Sequence, residues 1–160
     1  MADPLSIAAS IAGLITIADI VVRNGYKFLK SIHDAETTAA RLLAEVNTLS
    51  GILHSLRNVA ERYEDDNDRM QFNPAMKIYM VHDCYETIQN LYKKLQIADP
   101  EKSTGSTDIS KKLKWPFTEK ETREILEEIE TQRSVLSDAV TADSMYVCDK
   151  TALWSLLIVL

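Results

Sequence analysis

The chain of 160 residues carries 18 Lys and Arg against 24 Asp and Glu, a net charge of −6, with 46 % hydrophobic and 26 % charged residues. That length suits one domain with one core, and the acidic balance argues against a broad basic face for nucleic acid. Four Gly and four Pro disfavour a loop-rich all-β fold, and two cysteines, Cys84 and Cys148, are too few for a disulfide framework and fit a reducing, intracellular compartment.

The opening stretch MADPLSIAASIAGLITIADIVV holds one charge, Asp19, between Leu5 and Val22. A secretory signal needs a basic flank, whereas Asp3 is the only charge ahead of the apolar run. Pro4 fits the first turn of a helix, with Asp3 as its N-cap. A helix apolar nearly all round needs either a deep core or lipid. Its insertion energy is close to balance. The strongly apolar residues Leu5, Ile7, Ile11, Leu14, Ile15, Ile17, Ile20, Val21 and Val22 contribute roughly −3 to −5 kcal/mol together, and Asp19 costs up to about +3 kcal/mol, less near a helix end. The pairs Ala8/Ala12 and Ala9/Gly13 permit close helix contact, in a bundle or in lipid. On physics alone, a core helix and a membrane-active helix stand level. Asn24-Gly25 is expected to cap or break this helix. Tyr26, Phe28, Leu29 and Ile32 then continue an apolar stripe to His33.

The second segment gives the cleanest pattern. Leu42, Val46, Leu49, Leu53, Leu56, Ala60 and Tyr63 alternate spacings of four and three, a heptad seam. Asp34 is a reasonable cap upstream, and the acidic run Glu64 to Asp68 disfavours further helix. Asn73-Pro74 restarts helix as N-cap and first residue. Its stripe is Val81, Tyr85, Ile88, Tyr92 and Leu95, with Cys84 and Leu91 alongside, and Asp99-Pro100 stops it.

A polar linker from Glu101 to Ser110 leads into Lys111-Lys112-Leu113-Lys114-Trp115-Pro116-Phe117. This stretch has two readings. In one, Trp115 and Phe117 plug the bundle ahead of the next helix. In the other, Lys112, Lys114, Trp115 and Phe117 form an interfacial anchor, lysines on lipid phosphates and aromatics at the headgroups. Three lysines fall short of the usual polybasic cluster, which favours the first. Thr118 and Glu121 make a capping box. The following helix sets Ile125, Ile129, Leu136 and Val140 on one side with Leu126 beside them, and Gln132 and Arg133 interrupt the seam. After Asp143-Ser144 the chain ends in an apolar run, Ala152 to Leu160, too short to span a bilayer as a helix.

No chemistry-bearing constellation stands out. The glycines at 13, 25, 51 and 105 write no phosphate loop. His33, His54 and His82 are scattered, and His82-Asp83-Cys84, consecutive on a helix, point in different directions. No Cys/His spacing suits zinc. Glu127, Glu128 and Glu130 fit a solvated helix face better than a carboxylate pair. The expectation is a non-enzymatic protein with no catalytic residue, metal or cofactor.

DPLSIAASIAGLI (Asp3 to Ile15), EVNTLSGILHSL (Glu45 to Leu56), KLKWPFTEKETREILEEIE (Lys112 to Glu130) and ADSM (Ala142 to Met145) resemble the fungal HeLo-like domain. That is the N-terminal domain of STAND (NLR-type) receptors, also called the azaphilone pigments biosynthesis cluster protein L N-terminal domain. The resemblance covers roughly Met1 to Met145. It implies a helical bundle for programmed cell death or heterokaryon incompatibility, acting by self-association and membrane insertion of its N-terminal helix. Leu5, Ile7, Ile11, Leu14, Ile15 and Ile17 then become the candidate membrane-active positions. Tyr146 to Leu160 departs from the expected pattern, and Asp19 sits poorly in a simple pore.

The expected architecture is thus all-α, a single up-and-down bundle of four or more helices. Residues 1–145 form the HeLo-like bundle and 146–160 an apolar C-terminal tail of truncated or atypical character. The expected function is cell-death or innate-immune signalling, cytoplasmic at rest and on the membrane when active, with self-association and lipid as partners. The alternative is a protein–protein interaction module whose opening helix stays in the core.

Overall fold

The computed structural model describes residues 4–31, 37–65, 74–97 and 115–158, with side chains described at 8–30, 37–61, 81–96 and 115–142. Among the described residues the chain is all-α: α1 (Pro4–Ser31), α2 (Thr37–Asp65), α3 (Pro74–Ile97) and α4 (Glu119–Ile158). Local chemistry sets the starts. Pro4 and Pro74 open α1 and α3, where a missing N–H costs nothing. Ahead of α4, the Thr118 amide donates to Glu121 Oε2 at 2.8 Å and the Glu121 amide donates to Thr118 Oγ1 at 3.2 Å. This reciprocal box satisfies two amides that would otherwise lack partners.

The core is built around α2. Leu42, Val46, Leu49, Leu53 and Leu56 are fully buried and Ala60 nearly so, as the four-three spacing predicts; Tyr63 lies outside the described side chains. Against this column α1 sets Ile11, Leu14, Ala18 and Val21. The centre of α3 runs Val81, Cys84, Ile88, Leu91 and Leu95, with Tyr85 and Tyr92 half-buried at its margins. In α4, Leu126, Ile129 and Leu136 are buried while Ile125 and Val140 flank them.

Helix α1 packs between α2 and α3, and α4 packs between the same two on the far side. Directions follow from side-chain pairs. Ser50 meets Asp19 and Leu43 meets Gly25, so α1 and α2 are antiparallel. Arg41 meets Glu130 and Glu45 meets Arg133, so α2 and α4 are parallel. Thr87 meets Glu128 and Lys94 meets Glu121, so α3 and α4 are antiparallel. Consecutive helices therefore alternate in direction, while α2 and α3, neighbours in sequence, sit on a diagonal of the bundle.

Two local expectations are corrected. Asn24-Gly25 neither caps nor breaks α1, which continues to Ser31. A Cβ on Gly25 would lie 2.7 Å from Leu43 Cδ1 and closer still to Cδ2, so the glycine admits a leucine from α2 rather than ending a helix. Tyr26 leaves the apolar stripe and is 38 % exposed, while Phe28 and Leu29 stay buried. Helix α4 passes Asp143-Ser144 without interruption and reaches Ile158; no Gly or Pro lies between Thr118 and Leu160 to stop it. The boundary expected at residue 145 thus coincides with no break in helix.

Candidate functional site

Among the described residues one helix is long and apolar enough to cross a membrane, over Ala8–Lys30, and a third of its apolar window is buried in the bundle. Its 23 residues span about 35 Å at helical rise, against about 30 Å of hydrocarbon. Of the candidate membrane-active positions, Ile11, Leu14 and Ile15 are in the core and Ile17 is packed against its edge. The side chains of Leu5 and Ile7 lie outside the described residues. The outward face of the first turns carries Ala9, Ser10, Gly13 and Thr16, all small and uncharged. The Thr16 hydroxyl donates to the Ala12 carbonyl at 2.9 Å, so its polar group is satisfied within the helix. Charge begins at Asp19, whose Oδ1 accepts a 2.9 Å hydrogen bond from the buried Ser50 hydroxyl of α2. Arg23, Lys27 and Lys30 follow toward the C-terminal end.

At that end α1 meets the segment leading into α4. Trp115 packs edge-on to Phe28 at a centroid separation of 6.1 Å and lies 5.4 Å from Phe117. Its indole N–H donates to Thr122 Oγ1 at 3.1 Å. Phe117 is buried, with the Lys94 ammonium 4.8 Å from its ring centre. In this state both aromatics are engaged with the bundle; Lys112 and Lys114 lie outside the described residues.

Of the helix pairs in contact, α3 and α4 are the most thinly packed, and they border a groove of about 820 Å³. Five acids line it, Asp83, Glu86, Glu121, Glu124 and Glu128, against Lys93 and Lys94. Its floor is a hydroxyl–amide–carboxylate network. The Thr87 hydroxyl approaches Glu128 Oε1 at 2.7 Å, and the Gln132 amide donates to Thr87 Oγ1 at 3.1 Å. Lys94 bridges to Glu121 at 3.0 Å. The Glu121 carboxyl titrates at about 2, held down first by the Thr118 amide and then by the Lys94 and Thr118 side-chain hydrogen bonds.

The acidic run on α4 is more than a solvated face. Glu128 reaches across to α3, and Glu130 accepts from Arg41 of α2 at 2.6 Å. Arg133 Nε stands 2.9 Å from Glu45 Oε2, out of line for a hydrogen bond, so that contact is Coulombic. Of these residues Arg133 alone carries a sequence signal, as part of the polar break Gln132-Arg133 inside an apolar stripe. The trio His82-Asp83-Cys84 does not converge. His82 is exposed, 3.5 Å from Glu86, whereas Cys84 is fully buried. Burial above all, then the charges of Asp83 and Glu128, push its thiol up to about 12, which leaves no thiolate nucleophile at neutral pH.

A model of the family described as pigment biosynthesis cluster protein PigL N-terminal matches residues 2–115. The matched stretch takes in α1, α2 and α3 and stops at Trp115, before α4 begins. No curated protein and no solved structure matches the chain.

Proposed function

This chain belongs to the pigment biosynthesis cluster protein PigL N-terminal family, and from that premise we propose that it is a fungal cell-death or innate-immune signalling domain that acts by self-association and conditional insertion of α1 into a membrane. The observation that carries the reading is α1 itself. It is a membrane-length apolar helix packed in a bundle, with Ile11, Leu14 and Ile15 turned inward and a small, uncharged face outward. Release exchanges the core contacts of those residues for lipid contacts. The satisfied Thr16 hydroxyl travels with the helix without an added hydrogen-bond cost. Self-association has a physical task in this scheme, since the α2 column that α1 vacates needs a new cover. The resemblance of Asp3 to Ile15 to HeLo-like domains supports the same scheme. The chain is then cytoplasmic at rest, needs no cofactor and catalyses no reaction.

Dye release from vesicles by the full chain tests this. Leakage is expected to rise steeply with protein concentration. It should differ little between neutral and anionic lipid, because a net charge of −6 gives no electrostatic docking. A folded chain that leaves vesicles intact even when artificially oligomerised would overturn the reading. The interaction-module alternative would then stand. One observation favours it: five acids around the α3–α4 groove suit a basic partner segment.

A further inference from the structure

We propose that Asp19 is the brake on membrane entry of α1, a carboxylate at the midpoint of the membrane-length span that is well placed at the bundle surface and badly placed in lipid. The inference rests on the proposed membrane reading and names its regulation. Asp19 lies eleven residues from Ala8 and eleven from Lys30. The other charges of the span, Arg23, Lys27 and Lys30, fall toward one end, and their long stems can carry the charge to the headgroups. The single-carbon stem of Asp19 cannot. A carboxylate held near the centre of a span lowers insertion on the order of a hundredfold.

In the bundle the same group is exposed to water and accepts the Ser50 hydroxyl at 2.9 Å. Both interactions are lost on insertion. No ion pair neutralises Asp19 among the described residues; Ser50 is its partner there. Ser50 has a substitute for the Asp19 acceptor. Other α2 hydroxyls bond their own helix, Thr48 to the Ala44 carbonyl at 3.0 Å and Ser55 to the Gly51 carbonyl at 3.3 Å. Ser50 has the same option through the Val46 carbonyl. A core helix gains from this charge one hydrogen bond that Ser50 can make elsewhere, whereas a helix that must stay out of lipid until assembly gains a restraint.

The test uses the full chain and three substitutions: Asp19→Asn, which keeps shape and acceptor but not charge; Asp19→Leu, which removes both; and Ser50→Ala, which removes the hydrogen bond and keeps the charge. Dye release from neutral phosphatidylcholine vesicles is read beside the thermal midpoint. Both Asp19 variants are expected to cause leakage at a tenfold or greater lower protein concentration than the unaltered chain. Ser50→Ala should leak as the unaltered chain does, with all midpoints within a few degrees. Leakage from Ser50→Ala equal to that of Asp19→Leu would make the hydrogen bond the restraint and overturn the charge brake. Leakage gained only with a large fall in midpoint would assign the effect to loss of the bundle and overturn it too. If the unaltered chain leaks and the Asp19 variants leak no more, the brake fails and the membrane reading survives. If no folded variant leaks, both fail.

Discussion

Where α1 meets α2, Leu43 seats itself against the bare backbone of Gly25, and a column of fully buried leucines fills the space between the helices. Where α3 meets α4, Thr87, Glu128 and Gln132 share hydrogen bonds on the floor of an 820 Å³ groove, and Lys94 reaches Glu121 across its rim. The first contact is largely apolar and dependent on shape. The second exchanges protein partners for water at small net gain, about 1 kcal/mol per hydrogen bond. The bundle is thus gripped on one side and loosely tied on the other. The helix proposed to leave is the gripped one, so under the proposed function lipid and a second copy of the chain would replace what it gives up.

Truncation on both sides separates the two contacts. Leu53→Ala on the α2 column should cost about 2–5 kcal/mol by urea denaturation. Thr87→Ala on the α3–α4 floor should cost only about 0.5–1.5 kcal/mol. Equal losses would mean the groove side is packed as firmly as the leucine column. Thr118→Ala, which removes the α4 cap, is expected to cost about 1 kcal/mol in the same assay.

The glycines sharpen the same point. Gly25→Ala forces Leu43 aside in a closed core, a clash of about 1–3 kcal/mol that outweighs the gain of about 1 kcal/mol in helix propensity. Nothing lies within 4 Å of a Cβ added at Gly13 or Gly51. Alanine at either should stabilise the chain by about 0.5–1 kcal/mol. Destabilisation by all three would show that α1 and α2 need glycine for some reason other than the Leu43 contact.

The smallest effect is a pH dependence. The folded Glu121 carboxyl titrates at about 2, below its ordinary value of 4.5. A depressed carboxyl stabilises the fold above its unfolded value, and that contribution fades as pH falls from about 4.5 toward 2. Glu121→Gln, which can still cap, should therefore melt below the unaltered chain at neutral pH. The two should converge on acidification. A gap that persists at pH 2 would locate the effect in packing rather than in charge.

These contrasts also explain what the sequence made legible. The α2 column and the Thr118–Glu121 box depend on neighbours three or four residues away, and the Pro74 start on an adjacent pair, so local sequence alone reveals them. The role of Gly25 depends on Leu43, a residue of another helix, and an Asn-Gly pair read locally looks like a helix end. The run of α4 through Asp143-Ser144 was within reach of the sequence, because no Gly or Pro follows Phe117. The cross-helix roles of Glu128 and Glu130 were not, since a glutamate on a helix face carries no mark of what stands opposite. For the candidate site, the apolar character of α1 was plain from composition. The Asp19–Ser50 contact joins residues 31 apart and needs the bundle to bring them together.

If α1 must leave α2 to act, a reversible lock between the two helices abolishes leakage. Asp19→Cys with Ser50→Cys places two thiols where a 2.9 Å hydrogen bond now joins the helices. Cys148→Ser removes the competing thiol, and Cys84 is protected by burial. The oxidised, cross-linked chain is expected to leave vesicles intact, and reduction to restore leakage at the same protein concentration. Equal leakage from the locked and the reduced chain would contradict it.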